Sequence, residues 1–110
     1  MLIKWLELSY LVENKPQYAE ELVKLTSVSY EFRTRGSAMA ALKRLAYFNN
    51  ELTVNLVNAI LSANVRLSGP GADLLRYFYA QDKYKKIIST YIKSIQWNDW
   101  QKQALSEFRG

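Results

Sequence analysis

Histidine and cysteine, which most often serve as catalytic bases, nucleophiles and zinc ligands, are both absent from this chain of 110 residues. Disulfides and thiolate chemistry are therefore excluded. A zinc site could use only carboxylates, which is rare. The commonest general base, histidine, is also missing.

The carboxylates that could form an acid/base pair are the neighbours Glu20 and Glu21, and the more isolated Glu51, Asp82 and Asp99. Two carboxylates at one site can act as general acid and general base. All five lie near predicted helix starts, where the positive end of the helix dipole favours a negative charge. We favour this structural interpretation, and we expect no catalytic residue, no cofactor and no metal site in this chain.

A basic and aromatic segment could bind nucleic acid, because cations pair with phosphates and rings stack on bases. Its members are Arg76, Tyr77, Tyr79, Lys83, Tyr84, Lys85, Lys86, Tyr91 and Lys93. Tyr84 and Tyr91 are seven residues apart, so they share a helical face with Ile87 and Ile88. Such a face is typical of a core and leaves the lysines in solvent. The net charge of +5 is only mildly basic, so nucleic-acid binding is the alternative interpretation.

The three tryptophans, Trp5, Trp97 and Trp100, could anchor an interface, where this residue is enriched. They could equally be core residues, and the sequence leaves both interpretations open.

The composition indicates a helical protein. Hydrophobic residues make up 49% and charged residues 23%, which is ordinary for a globular domain, and glycine (4) and proline (2) are scarce. Helical spacing of apolar residues predicts helices over 2–12, 16–25, 30–48, 51–63, 72–78, 83–94 and 98–108. Gly69-Pro70-Gly71 predicts a turn; it lacks the Lys-Ser/Thr pair of a phosphate-binding loop. The fold class is therefore all-α, in one domain over residues 1–110.

The chain shows no targeting signal that would set its compartment. Glu7 interrupts the apolar residues at the start of the chain, whereas the apolar region of a signal peptide is continuous. No apolar run in the chain approaches the roughly 20 residues that span a membrane. We expect no membrane partner, and the compartment stays open.

An internal repeat relates two neighbouring segments in the central part of the chain. Residues 32–36 align with residues 65–69 at an offset of 33, and both segments carry an arginine. The helices that follow align at an offset of 32, with Leu56 over Ile88. One repeat is therefore a pair of helices. An irregular helical bundle is the alternative.

Residues 34–45 follow the pattern x-Arg-x-x-Ala-x-x-Ala-Leu-x-x-Leu, which resembles the first helix of HEAT and armadillo repeats. The resemblance implies a HEAT/armadillo-like α-α superhelix of about three antiparallel helix pairs and a terminal helix. It also implies that Arg33, Arg35 and Arg66 tie neighbouring repeats together by hydrogen bonds; partner binding is their alternative role.

Residues 66–101 further resemble the C-terminal helical domain of gluzincin-type zinc aminopeptidases. Such a domain supports the catalytic domain and does no chemistry, so the resemblance implies that this chain is a fragment of a larger protein. The family's His-Glu-x-x-His motif has no counterpart here, and no functional residue is carried over.

We therefore expect a non-catalytic helical-repeat domain for protein–protein interaction or structural support. Its partner would be another protein or an adjacent domain of the same polypeptide, and a homodimer is a further arrangement. The second helices of the repeats should line the binding surface. The candidate partner-binding residues are Asn55, Asn58, Ser62, Lys86, Ser89 and Lys93.

Overall fold

The computed structural model describes residues 2–109, and within that range it contains helices and no strand. The helices are α1 (Leu2–Glu13), α2 (Pro16–Lys24), α3 (Phe32–Leu45), α4 (Asn50–Ile60), α5 (Val65–Tyr79), α6 (Asp82–Lys93), α7 (Asp99–Ala104) and a 3₁₀ helix, η1 (Ser106–Phe108). The all-α prediction is confirmed.

The first six helices form two layers. Helix α3 packs between α1 and α5, and α4 packs between α2 and α6. The layers meet where α1 packs on α2, α2 on α3, and α4 on α5, and η1 closes the far end against α6. The resulting body measures 43 × 29 × 18 Å.

Aliphatic side chains from all of the long helices fill the space between the layers. Phe78 is fully buried among them, and its ring centroid lies 5.1 Å from that of Phe48 and 5.5 Å from that of Tyr84. Close aromatic packing of this kind adds to the stabilisation from buried area. These contacts join the end of α3 to α5 and α6.

Helix α3 is shorter at both ends than the predicted 30–48. It begins after Glu31, whose carboxylate accepts from the Thr34 backbone N–H at 2.9 Å and so caps the helix. It ends because Ala46 adopts a left-handed conformation with φ of 53°. The Tyr47 N–H then bonds the Leu42 carbonyl at 3.2 Å and closes the last turn.

The turn predicted at Gly69-Pro70-Gly71 is wrong, because α5 runs through it. The Asn64 side chain caps the helix by accepting from the Arg66 N–H at 2.9 Å. Gly69 has no Cβ to clash with the ring of Pro70, which eases the helical conformation before proline. Gly71 is buried where α5 meets α4: a Cβ there would lie 2.9 Å from the Cβ of Ala59. Tertiary packing thus overrides local propensity.

The last predicted helix, 98–108, is divided. Asn98 and Gln101 form a reciprocal capping box at the start of α7, which ends at Ala104. The chain then turns through η1, so that Phe108 is buried with its ring edge-on to Tyr79, at 5.4 Å between centroids.

Buried side chains tie the end of α2 to α3 and α4. Asn55 of α4 donates to the Val23 carbonyl and to Thr26 Oγ1, both at 3.0 Å. Thr26 Oγ1 donates to the same carbonyl at 2.6 Å, and Arg35 Nε of α3 donates to the Thr26 carbonyl at 2.9 Å. The Val23 carbonyl also accepts from the Thr26 backbone N–H at 3.0 Å, so these side chains add donors to the carbonyls at the end of α2. We call Thr26, Arg35 and Asn55 the α2 cap.

The close approach of α4 and α5 predicts opposite effects for two glycine substitutions. Gly71→Ala should lower the free energy of unfolding by about 1–2 kcal/mol, because the new methyl group meets Ala59. Gly36→Ala, inside α3 with nothing within 4 Å of the new Cβ, should raise it by about 0.5–1 kcal/mol. Urea denaturation of the two variants measures both; equal effects would contradict the close packing at Gly71.

Candidate functional site

A groove of about 570 Å³ runs between α4 and α6, on the outer side of the layer formed by α2, α4 and α6. We call it the α4–α6 groove, and its lining residues are Asn50, Thr53, Val54, Lys83, Lys86, Ile87, Thr90 and Tyr91. The three from α4 and the five from α6 recur at helical spacing, so each helix contributes one face. The groove therefore has two helical walls, with apolar side chains between polar and basic ones.

The charged residues that line the groove are both lysines. Neither Lys83 nor Lys86 forms an ion pair among residues 2–109, and no carboxylate lines the groove. Glu51 and Asp82 lie in the first turns of the two helices, outside the lining. Burial raises the pKa of Tyr91 from its ordinary value, which already lies above physiological pH. The groove is locally cationic.

Thr53 lies in the groove wall with an unpaired hydroxyl. Its side chain is buried, and Oγ1 has no hydrogen-bond partner in the described part of the chain. An unsatisfied buried hydroxyl costs about 1–3 kcal/mol. A group of this kind next to a groove is a candidate for hydrogen bonding to a ligand.

The candidate partner-binding residues separate into three groups. Lys86 lines the groove, and its role in partner binding stays a prediction. Asn58 and Lys93 are exposed and Ser62 is half-buried, all outside the groove lining. The placement of Asn55 and Ser89 on the surface is wrong: Asn55 is 6% exposed within the α2 cap, and Ser89 is buried with its hydroxyl directed to the Lys86 carbonyl at 3.3 Å.

Thr53, Val54 and Thr90 were not predicted as site residues, and Ile87 was predicted to lie in the core. Ile87 is 40% exposed because α6 faces the core through Ile88 and Ile92 instead. A signal was present: Lys83, Ile87 and Thr90 recur at intervals of four and three residues, which marks one helical face of mixed character. Whether this face of α6 lines a groove depends on which face of α4 packs beside it, and the sequence does not show that.

The rings of the basic and aromatic segment mostly pack within the protein. Tyr84 packs on Phe48 at 4.5 Å between centroids, and Tyr79 packs on Phe108. Lys83 lies over Tyr84 at 4.8 Å and Lys85 over Tyr79 at 5.3 Å. Few of these rings are therefore presented for stacking on bases.

The three arginines assigned to ties between repeats lie in different surroundings. Arg35 is buried in the α2 cap, and burial lowers the pKa of its guanidinium. Arg33 and Arg66 are exposed, and both lie over the Phe32 ring, at 5.4 and 5.3 Å from its centroid. Arg66 of α5 thus contacts α3, and Arg35 connects α3 to the end of α2.

Helix α1 exposes an apolar face, which we define as Leu2, Trp5, Leu8, Leu11 and Val12. Leu6 is the one α1 residue that is fully buried. Beside a second groove of about 550 Å³ between α1 and α3, Arg44 donates to both carboxylate oxygens of Glu7, at 2.7 and 2.8 Å. These bonds lower the pKa of Glu7.

The tryptophans differ in their surroundings. Trp5 is 56% exposed with its ring edge-on to Tyr18, and Trp100 is similarly exposed at the start of α7. Trp97 is half-buried, and its Nε1 donates to the Ile92 carbonyl at 2.8 Å. Trp97 therefore belongs to the edge of the core, while Trp5 and Trp100 are on the surface.

Within residues 2–109, two further features would bear on function: a cluster of metal-binding side chains and a helix that could cross a membrane. No group of three or more Asp and Glu side chains comes together to hold a metal ion there. None of the helices in this range has the length and apolar character to cross a membrane.

No protein-family model matches the chain, and no curated protein or solved structure is similar to it. The HEAT/armadillo and aminopeptidase resemblances stay predictions from the sequence patterns.

The contrast between two asparagines of α4 gives a direct prediction. Asn55→Ala should lower the free energy of unfolding by about 2–3 kcal/mol, because it removes two buried hydrogen bonds of the α2 cap. Asn58→Ala, on the exposed face of the same helix, should change it by no more than about 0.5 kcal/mol. Chemical denaturation of both variants checks this; similar values would show that Asn55 does not hold α4 in place.

Proposed function

We propose that this chain is a non-catalytic helical domain that binds another polypeptide in the α4–α6 groove. The observation that carries the proposal is the groove itself, with exposed Ile87 and half-buried Val54 between polar and basic side chains. An apolar centre with a polar rim is the usual anatomy of a protein interface.

Binding of nucleic acid through the same surface is the alternative function. The lysines of α6 favour it, because Lys83, Lys85, Lys86 and Lys93 carry no ion pair among residues 2–109. The packed rings weigh against it, since single-strand binding depends on aromatic faces open to bases. Arg76, which belonged to the predicted basic segment, is already paired with Glu107 and Asp73.

The role of support domain in a zinc aminopeptidase is a proposal that follows from the sequence resemblance. The exposed apolar face of α1 would suit contact with an adjacent domain of a longer polypeptide, because such a face is costly to leave in water. Sequencing the source DNA upstream of the first codon tests the aminopeptidase proposal. An open reading frame that encodes His-Glu-x-x-His would support it, and a stop codon directly upstream would refute it.

Peptide selection followed by NMR mapping tests the groove proposal. Peptides of unbiased composition would be displayed and selected on the folded domain, and the best binders titrated into the ¹⁵N-labelled protein. We expect amide shifts to concentrate on the groove faces of α4 and α6. Thr90→Trp, which fills the groove, should lower the affinity about tenfold or more.

Ser94→Trp is the matched control, because Ser94 is exposed at the end of α6 and outside the groove lining. It should leave peptide affinity unchanged. Peptides that bind elsewhere, or that ignore Thr90→Trp, would refute the groove as the binding site. Tight oligonucleotide binding that falls steeply with salt, without any peptide in the groove, would favour the alternative function.

A further inference from the structure

We propose that the partner of the α4–α6 groove is an acidic amphipathic helix, whose carboxylates pair with Lys83 and Lys86. This inference rests on the proposed function and specifies the chemistry of the partner. Three features of the groove lead to it: its walls, its charge and the Thr53 hydroxyl.

Both walls of the groove are helices, and this determines the backbone conformation of the partner. The N–H and C=O groups of a helix interior are already bonded within the helix. The groove therefore has no strand edge to pair with an extended peptide. A polypeptide that buries its backbone here must satisfy its own hydrogen bonds, which a helix does.

The length of the groove sets the size of the contact. Lys83 and Tyr91 mark its ends on α6, and the helical rise places them about 12 Å apart. This length matches about two turns of a docked helix. Apolar side chains at i and i+4 on that helix would pack on Val54 and Ile87, as in other helix-in-groove complexes.

The charge of the groove determines the sign of the partner. Lys83 and Lys86 follow one face of α6 at an interval of three residues, unpaired among residues 2–109 and with no carboxylate in the lining. A basic partner would meet like charge, which is costly at an interface. Aspartate or glutamate on the docked helix gains charge-assisted hydrogen bonds.

The Thr53 hydroxyl offers a further contact. It lacks a partner in the described chain although Thr53 lies in the groove wall. Threonine in a helix populates two χ1 rotamers, so the hydroxyl can turn from the interior toward a carboxylate. Bound ligand would then supply the acceptor that the free domain lacks.

Three synthetic peptides test the inference: an amphipathic helix with glutamates flanking its leucines, its analogue with glutamine at those positions, and its analogue with lysine. Each would be titrated into the ¹⁵N-labelled domain to obtain both affinity and location. We expect the acidic peptide to bind in the groove about tenfold more tightly than the glutamine analogue, and the lysine analogue to bind most weakly.

Two double variants with the same change in net charge separate local pairing from general attraction. Lys83→Glu with Lys86→Glu alters the groove, whereas Lys85→Glu with Lys93→Glu alters exposed positions of α6 outside it. The first pair should weaken acidic-peptide binding about tenfold and improve binding of the lysine analogue. The second pair should change the affinity by no more than about threefold.

The outcomes distinguish the inference from the function on which it rests. If the glutamine analogue binds in the groove as tightly as the acidic peptide, the acidic partner is refuted and the peptide-binding function stands. Equal losses for the two double variants also refute specific pairing. If none of the selected or synthetic peptides shifts groove residues, both proposals fail.

A substitution at Thr53 tests the hydroxyl separately. Thr53→Val should leave the free domain as stable or more stable, because it removes an unsatisfied buried hydroxyl. It should also weaken the acidic peptide about three- to fivefold, while Thr53→Ser retains most of the affinity. Unchanged affinity in Thr53→Val would exclude the hydroxyl from the contact, and the rise or retention of Tm shows that the domain is folded.

Discussion

The carbonyl groups at the end of α2 lie inside the protein, where water cannot serve as their donor. The Val23 carbonyl accepts from the Thr26 backbone N–H and also from the side chains of Thr26 and of Asn55 in α4, and the Thr26 carbonyl accepts from Arg35 of α3. The guanidinium of Arg35 also lies at the negative end of the helix dipole. Because a wrong orientation of α3 or α4 would leave buried polar groups unpaired, this cap selects one arrangement of the helices that apolar packing alone would specify less strictly.

The geometry of the α4–α6 groove depends on that arrangement of the helices. Asn55 points into the cap, and its neighbours Thr53 and Val54 are held in the wall that faces α6. On the other side, α6 is fixed by Ile88 and Ile92 in the core and by the contact of Tyr84 with Phe48 and Phe78. The surfaces that face solvent are thus set by the polar and aromatic contacts behind them. Lys83 and Lys86 line the groove and form no ion pair among residues 2–109.

The sequence predicts the number of helices and the extents of α1, α2 and α6 well, because clear breakers separate strong helical periodicities there. It fails at α5, where Gly-Pro-Gly predicts a turn. The sequence does not show the close approach of Gly71 to Ala59, which favours a continuous helix there. It fails at Asn55 and Ser89 because polar residues are usually exposed, and only the position of α2 shows that Asn55 has buried partners. Lys86 could be predicted from charge, whereas Thr53 and Ile87 became groove residues only when α4 and α6 were placed together.

A double-mutant cycle between Thr26 and Asn55 tests the account most directly. Thr26→Val and Asn55→Ala would be made singly and together, and the free energies of unfolding compared by urea denaturation. If the two side chains act as one cap, the coupling energy should be about 1 kcal/mol or more, since each substitution disables part of the same network. Losses that add to within about 0.5 kcal/mol would show that the two side chains act independently, and would contradict the claim that the end of α2 sets the arrangement of the helices.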